Sequence, residues 1–446
     1  MNVIEKYRYK FFFLLTFLVY FLSFSNNILR VADNNYRFFD RIDEVLIINR
    51  LMVSQQESPF AHSAYVGNYS YRAYIGSDNS IIERKAQDAG AMTALTYDDY
   101  LESRTPYHPQ FEAYMSHPGG TGLLYSLIQE VLPTHNTTNL LLFRLFTILL
   151  SALVLSLFVY WLYKNYGLTV ALVTFILSAH IPIIILLSYN LWWAFWSYYI
   201  PFITATLILE YRKRKNRLLF DNKLLLYILM TCFLKFFFTG FEFITSTLVM
   251  AVCPVIYYLI LENKRIKSSF IYLTKSSIAA LSGILLGVFY LITQARLYTG
   301  SWTAGLNHMV DAFFRRSIYN EGMKEPLLLE TFKSFGARDV FRLDYNSDIT
   351  ITYTTLTIAV ILLCTILYAS RHKLQEMNNR ANIALIFITL IAASGPLSWI
   401  VVFTQHARYH TLDIIVMYMP FCLYAFAIIG LSLKIMIKMI FSRRLK

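Results

Sequence analysis

Charge is scarce in this chain. Lys, Arg, Asp and Glu together make up 15% of its 446 residues, while apolar residues make up 57%. A soluble domain carries about 25% charged residues and has no use for repeated apolar runs about 20 residues long, so a soluble fold is excluded. Cysteine is scarce too. Cys232, Cys253, Cys364 and Cys422 are scattered, each inside an apolar run. That spacing offers neither a CxxC redox pair nor a zinc framework, and reads as small packing residues. A cleavage signal is also missing. A basic flank precedes apolar Phe11 to Phe24, but no small-residue site of the Ala-x-Ala kind follows. The segment is expected to persist as a first membrane helix. No internal repeat and no low-complexity tract is visible.

What charge there is has one dominant sign, with a net charge of +13. Nucleic acid is not the expected partner, because the basic residues sit between apolar runs, where they orient helices. The wealth of Phe, Tyr, Ile, Asn and Lys suits an AT-rich bacterial genome. At roughly 20 apolar residues per span, about ten spans are expected. They lie near 9–29, 139–162, 168–188, 191–210, 219–239, 241–261, 270–293, 351–369, 382–404 and 411–437. The basic groups are Lys6 to Lys10, Lys164, Arg212 to Arg217, Lys264 to Lys267, Arg371 to Arg380 and Arg443 to Lys446. All fall on one side if the spans alternate, which puts both termini in the cytoplasm of a bacterial inner membrane. The expected class is an all-α polytopic membrane protein with a large, partly helical first outer loop. Its sections are a first helix at 1–29, an outer loop at 30–138, helices at 139–293, a second outer loop at 294–350, and helices with a basic tail at 351–446.

The outer loops hold most of the chemistry. Residues Asp43 to Ser54 read as an amphipathic helix. Ile42, Val45, Leu46, Met52 and Val53 form its apolar stripe, with Asp43, Arg50 and Ser54 opposite. Such a helix is expected to lie on the membrane surface. Ser116-His117-Pro118-Gly119-Gly120 then turns the chain into an apolar helix over Leu123 to Leu132. In the second loop, Trp302, Leu306, Met309, Val310 and Phe313 have helical spacing, with His308, Asp311, Arg315 and Arg316 between them.

Polar groups gather on this side: Asp40, Asp43, Glu44, Arg50, His108, His117, Glu242, His308, Arg315, Arg316, Lys333, Arg338, His406 and His410. A transferase at the outer surface needs a base for an acceptor hydroxyl or amine, which Asp43 or Glu44 can supply. It also needs cations for a departing lipid phosphate, which Arg315, Arg316, Lys333 and Arg338 can supply. Asp40, Arg50, His117, Glu242, His308, His406 and His410 are the further substrate-binding candidates. Several have a plainer alternative. Asp40 fits an N-cap, and acids in a first helical turn complement the dipole. Glu242 has Lys235 one helix end away as an ion-pair partner. His406 and His410 stand at i,i+4, a spacing that can hold a metal, but no third ligand is evident and packing is the simpler role. Tyr65, Tyr69, Tyr71 and Tyr74 can stack on sugars, or serve as interfacial aromatics.

Asp43-Glu44, near the start of a large outer loop after a first helix, resembles the GT-C class of glycosyltransferases that use polyprenyl-phosphate sugars. That class includes the protein O-mannosyltransferases and the lipid A aminoarabinose transferase. His117-Pro118-Gly119 is similar to the His-Pro-Pro segment of the mannosyltransferases, with Gly119 in place of the second Pro. The resemblance implies that Asp43 acts as catalytic base on an acceptor glycan, lipid or protein, and that the donor is a sugar on a polyprenyl phosphate held among membrane lipids. No cofactor or metal is expected, since the basic loop can neutralise charge. Two rivals compete with this reading. A flippase for lipid-linked saccharide is expected to show repeats and mid-membrane charges. A polysaccharide polymerase or ligase is expected to place its large loop late in the chain.

Overall fold

A computed structural model describes residues 3–75, 81–84, 89–104, 107–317, 327–342, 350–372 and 379–444. About 80% of the structure is helical, with almost no sheet. The long apolar runs dictate this outcome. A buried run in lipid has no water for its peptide groups, and a helix satisfies them within the run.

The first helix, α1 (Val3–Asn26), leads into a cap built from α2 (Arg41–Gln56), α3 (Ala89–Leu101) and α4 (Gly120–Val131). A three-stranded antiparallel sheet completes this cap, in the order β2 (Ile81–Arg84), β1 (Gly67–Ile75), β3 (Tyr107–Ala113). The chain then enters a bundle: α5 (Asn136–Tyr166), α6 (Leu168–Ala179), α7 (Pro182–Tyr189), α8 (Phe195–Arg214), α9 (Asn222–Thr239), α10 (Ile244–Leu261) and α11 (Ile266–Thr299). After the bundle's α11 come α12 (Trp302–Ser317), α13 (Leu327–Gly336) and a small hairpin of β4 (Asp339–Arg342) and β5 (Thr350–Thr352). The bundle closes with α14 (Tyr353–Ala369), α15 (Arg380–Ala392), α16 (Ser394–Val402), the short α17 (Thr404–Tyr409) and α18 (Phe421–Arg444).

Seven stretches among the described residues are long and apolar enough to cross a membrane. They lie in α1, α5, α9, α10, α11, α15–α16 and α18. The stretch expected as one span near 168–188 is broken: α6 and α7 meet at 69°, with Pro182 opening α7. Proline lacks the N–H that would continue α6 and fits the first turn of a new helix. Counting that pair gives eight. The helix α14 is apolar but only 17 residues long. The last turns of α8 carry Glu210, Arg212, Lys213 and Arg214. On this measure the expected count of about ten spans is not reached.

Packing explains the order of the bundle. The helix α11 lies along α9, α1 along α5, and α18 along α6. At Gly283 of α11 a Cβ would stand 2.2 Å from the Leu229 carbonyl oxygen of α9. Glycine there lets two backbones touch, the usual way to bind helices where lipid supplies no hydrophobic contrast. One buried cluster runs from the bundle into the cap, joining Tyr20 and Phe24 of α1 to Ile47 and Leu51 of α2 and Tyr125 of α4.

The cap corrects the picture of α2 as a surface helix. Every residue from Glu44 to Val53 is buried, on both faces. The helix packs against α3, α4 and β1 rather than lying half in water. Arg50, on the face expected to be polar, donates to the backbone carbonyls of Ala61 at 2.6 Å and Ser58 at 2.9 Å, and to that of Pro59. A buried guanidinium survives only when its donors are used in this way.

Candidate functional site

Turns at one end of the bundle converge on a cavity of about 510 Å³. Following the alternating path, this is the end opposite the Arg212–Arg217 and Lys264–Lys267 turns. The start of α2 contributes Ile42, Asp43 and Leu46. The cap adds Asn68, Tyr114 and Ser116, and the α7–α8 turn adds Trp192 and Trp193. Glu242 comes from the α9–α10 turn, Ala312 and Arg316 from α12, and Gln405, His406, Tyr409 and His410 from α17 and its end.

The acidic cluster splits across this boundary. Asp43 faces the cavity, whereas Glu44 turns away into the protein. Glu44 is 1% exposed and accepts hydrogen bonds from Arg144 Nη2 at 2.6 Å, from the Leu191 amide at 2.9 Å and from the Tyr97 hydroxyl. Neighbouring residues on a helix point about 100° apart, so one of the two can serve a cavity while the other anchors α2. Asp40 does not cap α2 through its side chain. Its backbone is left-handed, with φ 49°, and its carboxyl accepts from Trp193 Nε1–H instead. Asn190 completes the clamp. Its amide donates to the carbonyls of Phe39 at 3.1 Å and Asp40 at 3.2 Å, while its oxygen accepts from the Trp192 amide at 2.9 Å. The tryptophan turn and the start of α2 are thus fastened as one piece.

Asp40 and Asp43 are hydrogen-bonded to each other. Burial, followed by the charge of Asp43, pushes Asp40 up to about 8. Burial also raises Asp43, while the hydrogen bond from Asp40 counteracts it. Two carboxyls this close cannot both ionise cheaply, so they hold one proton between them. The upward shift is the larger on Asp40.

Across the cavity, Arg316 lies 3.9 Å from Glu242 Oε1 and 3.5 Å from the Tyr114 hydroxyl. Glu242 would be raised by burial, but His406, Arg316 and Lys235 around it hold it below the usual carboxylate range. Lys235 does not pair with the Glu242 carboxylate. Its Nζ donates to the backbone carbonyls of Gly240, at 3.2 Å, and of Glu242. Gly240 sits at φ +57° in this turn, and a Cβ there would crowd Pro118 and His117. His406 Nδ1–H donates to Asp413 Oδ2 at 2.8 Å, and Trp399 Nε1–H donates to the same oxygen at 2.8 Å. Burial would lower His406, but Asp413 and Glu242 outweigh it and hold the imidazole above its ordinary value. The His410 ring stacks on His406 at 4.0 Å, and burial together with the His406 charge lowers it.

Other sequence candidates lie elsewhere. His117 is 4% exposed and stacks on Trp192. Its Nδ1 accepts from the Gly119 amide at 3.0 Å, and burial pushes it down to about 3, so it is neutral. His308 reaches the cavity wall only through Ser116, its Nε2 standing 2.9 Å from Oγ. Arg50 is sealed inside the cap. Lys333 is exposed on α13, away from the cavity lining. Arg338 lines a separate hollow with Pro182, Ile183 and Tyr353. Arg315 lies in α12, but its side chain is outside the described residues, as are those of Tyr71, Tyr74 and His108. Tyr65 and Tyr69 are core residues of the cap.

Sequence reasoning missed Tyr114, Trp192, Trp193, Tyr409 and Asp413. The tryptophan pair at an outer turn was a usable signal. Asp413 was not, because it opens an apolar run that reads as the start of the last span. The arrangement offers a charged carboxylate, a guanidinium, two imidazoles and aromatic walls in one hollow at the end of a membrane bundle. Among the described residues, Glu242, His406 and Asp413 also stand close enough to hold a metal ion. Compared with protein-family models, with curated proteins and with solved structures, the chain matches none, and its function is read from the chemistry of this cavity.

Proposed function

We propose that this protein is a membrane glycosyltransferase of the GT-C type. It transfers a sugar from a polyprenyl-phosphate carrier to a glycan, lipid or protein acceptor on the outer face of a bacterial cytoplasmic membrane. In this reading about ten helices cross the lipid, counting α8, α14 and the bent α6–α7 pair, and both termini are cytoplasmic. One observation carries the proposal: Asp43, Arg316 and the Trp192–Trp193 wall share one cavity of about 510 Å³, within the usual range of small-molecule sites.

Asp43 accepts the proton of the acceptor hydroxyl. The acceptor oxygen then bonds to the anomeric carbon from the face opposite the phosphate, and the bond from that carbon to the phosphate oxygen breaks. The electron pair leaves with the polyprenyl phosphate, and the sugar is inverted. One carboxylate suffices for this displacement. Arg316 neutralises the charge that develops on the leaving phosphate, in a hollow where water screens it poorly. Trp192, Trp193, Tyr114 and Tyr409 offer faces to the apolar side of a sugar ring.

The test uses protein reconstituted in vesicles that contain undecaprenyl-phosphate-linked hexose or pentose. Release of undecaprenyl phosphate is followed with a membrane extract as acceptor source. Wild-type protein is expected to release it, and Asp43→Asn to lower the rate by roughly a hundredfold or more at equal protein level. A fully active Asp43→Asn would overturn the assignment of the base. Translocation of the intact donor without release would favour the flippase.

A further inference from the structure

We infer that Glu242, His406 and Asp413 form a binding site for a divalent first-row metal ion at the inner wall of the cavity. One ligand atom from each lies within 4.8 Å of the others, a spread that a single ion can bridge. The three come from the α9–α10 turn, from α17 and from the loop after it, so only the fold assembles them.

Closeness alone would be an ordinary polar cluster, but two further observations point to a ligand. Asp413 is fully buried, and its Oδ1 has no hydrogen-bond partner. Glu242 Oε2 is likewise buried without a partner. A buried carboxylate oxygen left bare is costly, and two in one cluster call for something to satisfy them. Arg316 lies on the other oxygen of Glu242 at 3.9 Å, too far for a hydrogen bond. Lys235 is spent on backbone carbonyls.

The remaining geometry also suits a metal. His406 Nδ1 stands 2.8 Å from Asp413 Oδ2, about the separation of two ligand atoms on one ion, so the ion would take the place of the proton between them. Trp399 holds the same carboxylate from behind. Two carboxylates and one imidazole favour Mn²⁺ or Zn²⁺ over Ca²⁺ or Mg²⁺, which prefer all-oxygen sites. Three protein ligands leave a coordination position open toward the cavity, as in catalytic rather than structural sites. If the glycosyl-transfer reading holds, the ion would assist Arg316 in neutralising the leaving phosphate. The binding site itself does not depend on that reading. It departs from the sequence expectation that the basic loop alone supplies the positive charge.

The experiment needs no substrate. Purified protein, stripped with chelator, is titrated with Mn²⁺ while the signal of free Mn²⁺ is followed by electron paramagnetic resonance, and Zn²⁺ is added as competitor. One ion per chain is expected, displaced by Zn²⁺. Glu242→Gln and Asp413→Asn should each weaken binding by tenfold or more, while Glu330→Gln, on an outer ion pair with Arg408, should not. As a check free of folding artefacts, wild-type protein is loaded with Fe²⁺ and exposed to ascorbate and peroxide, so that radicals cut the chain beside the bound ion. Fragments ending near 242 and near 406–413 are expected. Absence of saturable Mn²⁺ binding, equal binding in all variants, or cuts elsewhere would each overturn the site. Binding without any sugar transfer would leave the site standing and remove only its proposed role.

Discussion

At the scale of the residue, the decisive contrast is between Asp43 and Glu44. The pair is adjacent in sequence, yet one faces a cavity and the other is an internal anchor. Glu44→Gln leaves Arg144 with a buried, unpaired charge and weakens the bond to the Leu191 amide. Removing one partner of a buried ion pair costs about 3–5 kcal/mol, so this variant should show a clear drop in melting temperature in detergent. Asp43→Asn should melt near wild type and lose activity instead. A stable Glu44→Gln would show that the pair adds nothing to the fold. The sequence could mark both acids as candidates, but not separate them, because which side of α2 meets the cavity is decided by packing on Arg144 and Leu191, 100 and 147 residues further along the chain.

Asp40 adds a pH dependence at the same scale. Its folded pKa, about 8, lies above the ordinary value of 3.8. The folded state therefore holds a proton that the unfolded chain has released between those values. This contribution to stability is full below pH 4 and lost as pH rises through 8. Deprotonation also removes the hydrogen bond that supports the Asp43 charge. Transfer activity is thus expected to fall on the alkaline side near pH 8. Asp40→Asn should keep the bonds to Trp193 and Asp43, hold activity near wild type, and flatten that alkaline limb. A pH–rate profile that is unchanged in Asp40→Asn would assign the limb to another group.

At the scale of the element, α12 shows how one helix can serve two surfaces. His308, Ala312 and Arg316 recur every fourth residue and face the cavity side, through Ser116 or directly. Trp302, Leu306, Val310 and Phe313 are exposed on the other side. An exposed apolar stripe beside a membrane bundle is best covered by lipid, which would hold Arg316 at headgroup depth. Arg316→Gln should raise the donor concentration needed for half-maximal rate by about tenfold, the loss of roughly one charge-assisted bond. Changing Trp302, Leu306 and Val310 together to Ser should impair turnover in vesicles more than it lowers the melting temperature in detergent. Equal loss in both would mean the stripe packs on protein. The α12 stripe was legible in the sequence, since four of its five residues are exposed on one face, though Met309 turns into the core. The fate of α2 was not, since its stripe and its polar face are both covered by α3, α4 and β1, contacts that no local pattern announces.

At the scale of the whole molecule, the bundle was legible and the site only partly. Apolar runs long enough to span lipid declare themselves one at a time, which is why α1, α5, α9, α10 and α11 lie near their expected positions, whereas the last span, expected from 411, begins only at Phe421. The cavity draws on turns from α2 to α17, and its chemistry appears only when alternate turns meet at one end. That convergence makes sidedness the condition on which the functional reading stands. The Lys and Arg groups occupy the turns at the opposite end, so the cavity end is expected to face outward. Both ends offer exposed positions for a test: Glu102 after α3, and Asn216 in the turn after α8. The four natural cysteines are buried and free, so an added cysteine will dominate labelling. In intact cells, a membrane-impermeant maleimide should modify Glu102→Cys and spare Asn216→Cys, and opening the cells should expose the second. The reverse pattern would place Asp43 and Arg316 in the cytoplasm, where a donor presented at the outer face cannot reach them, and the proposed transfer would fall with it.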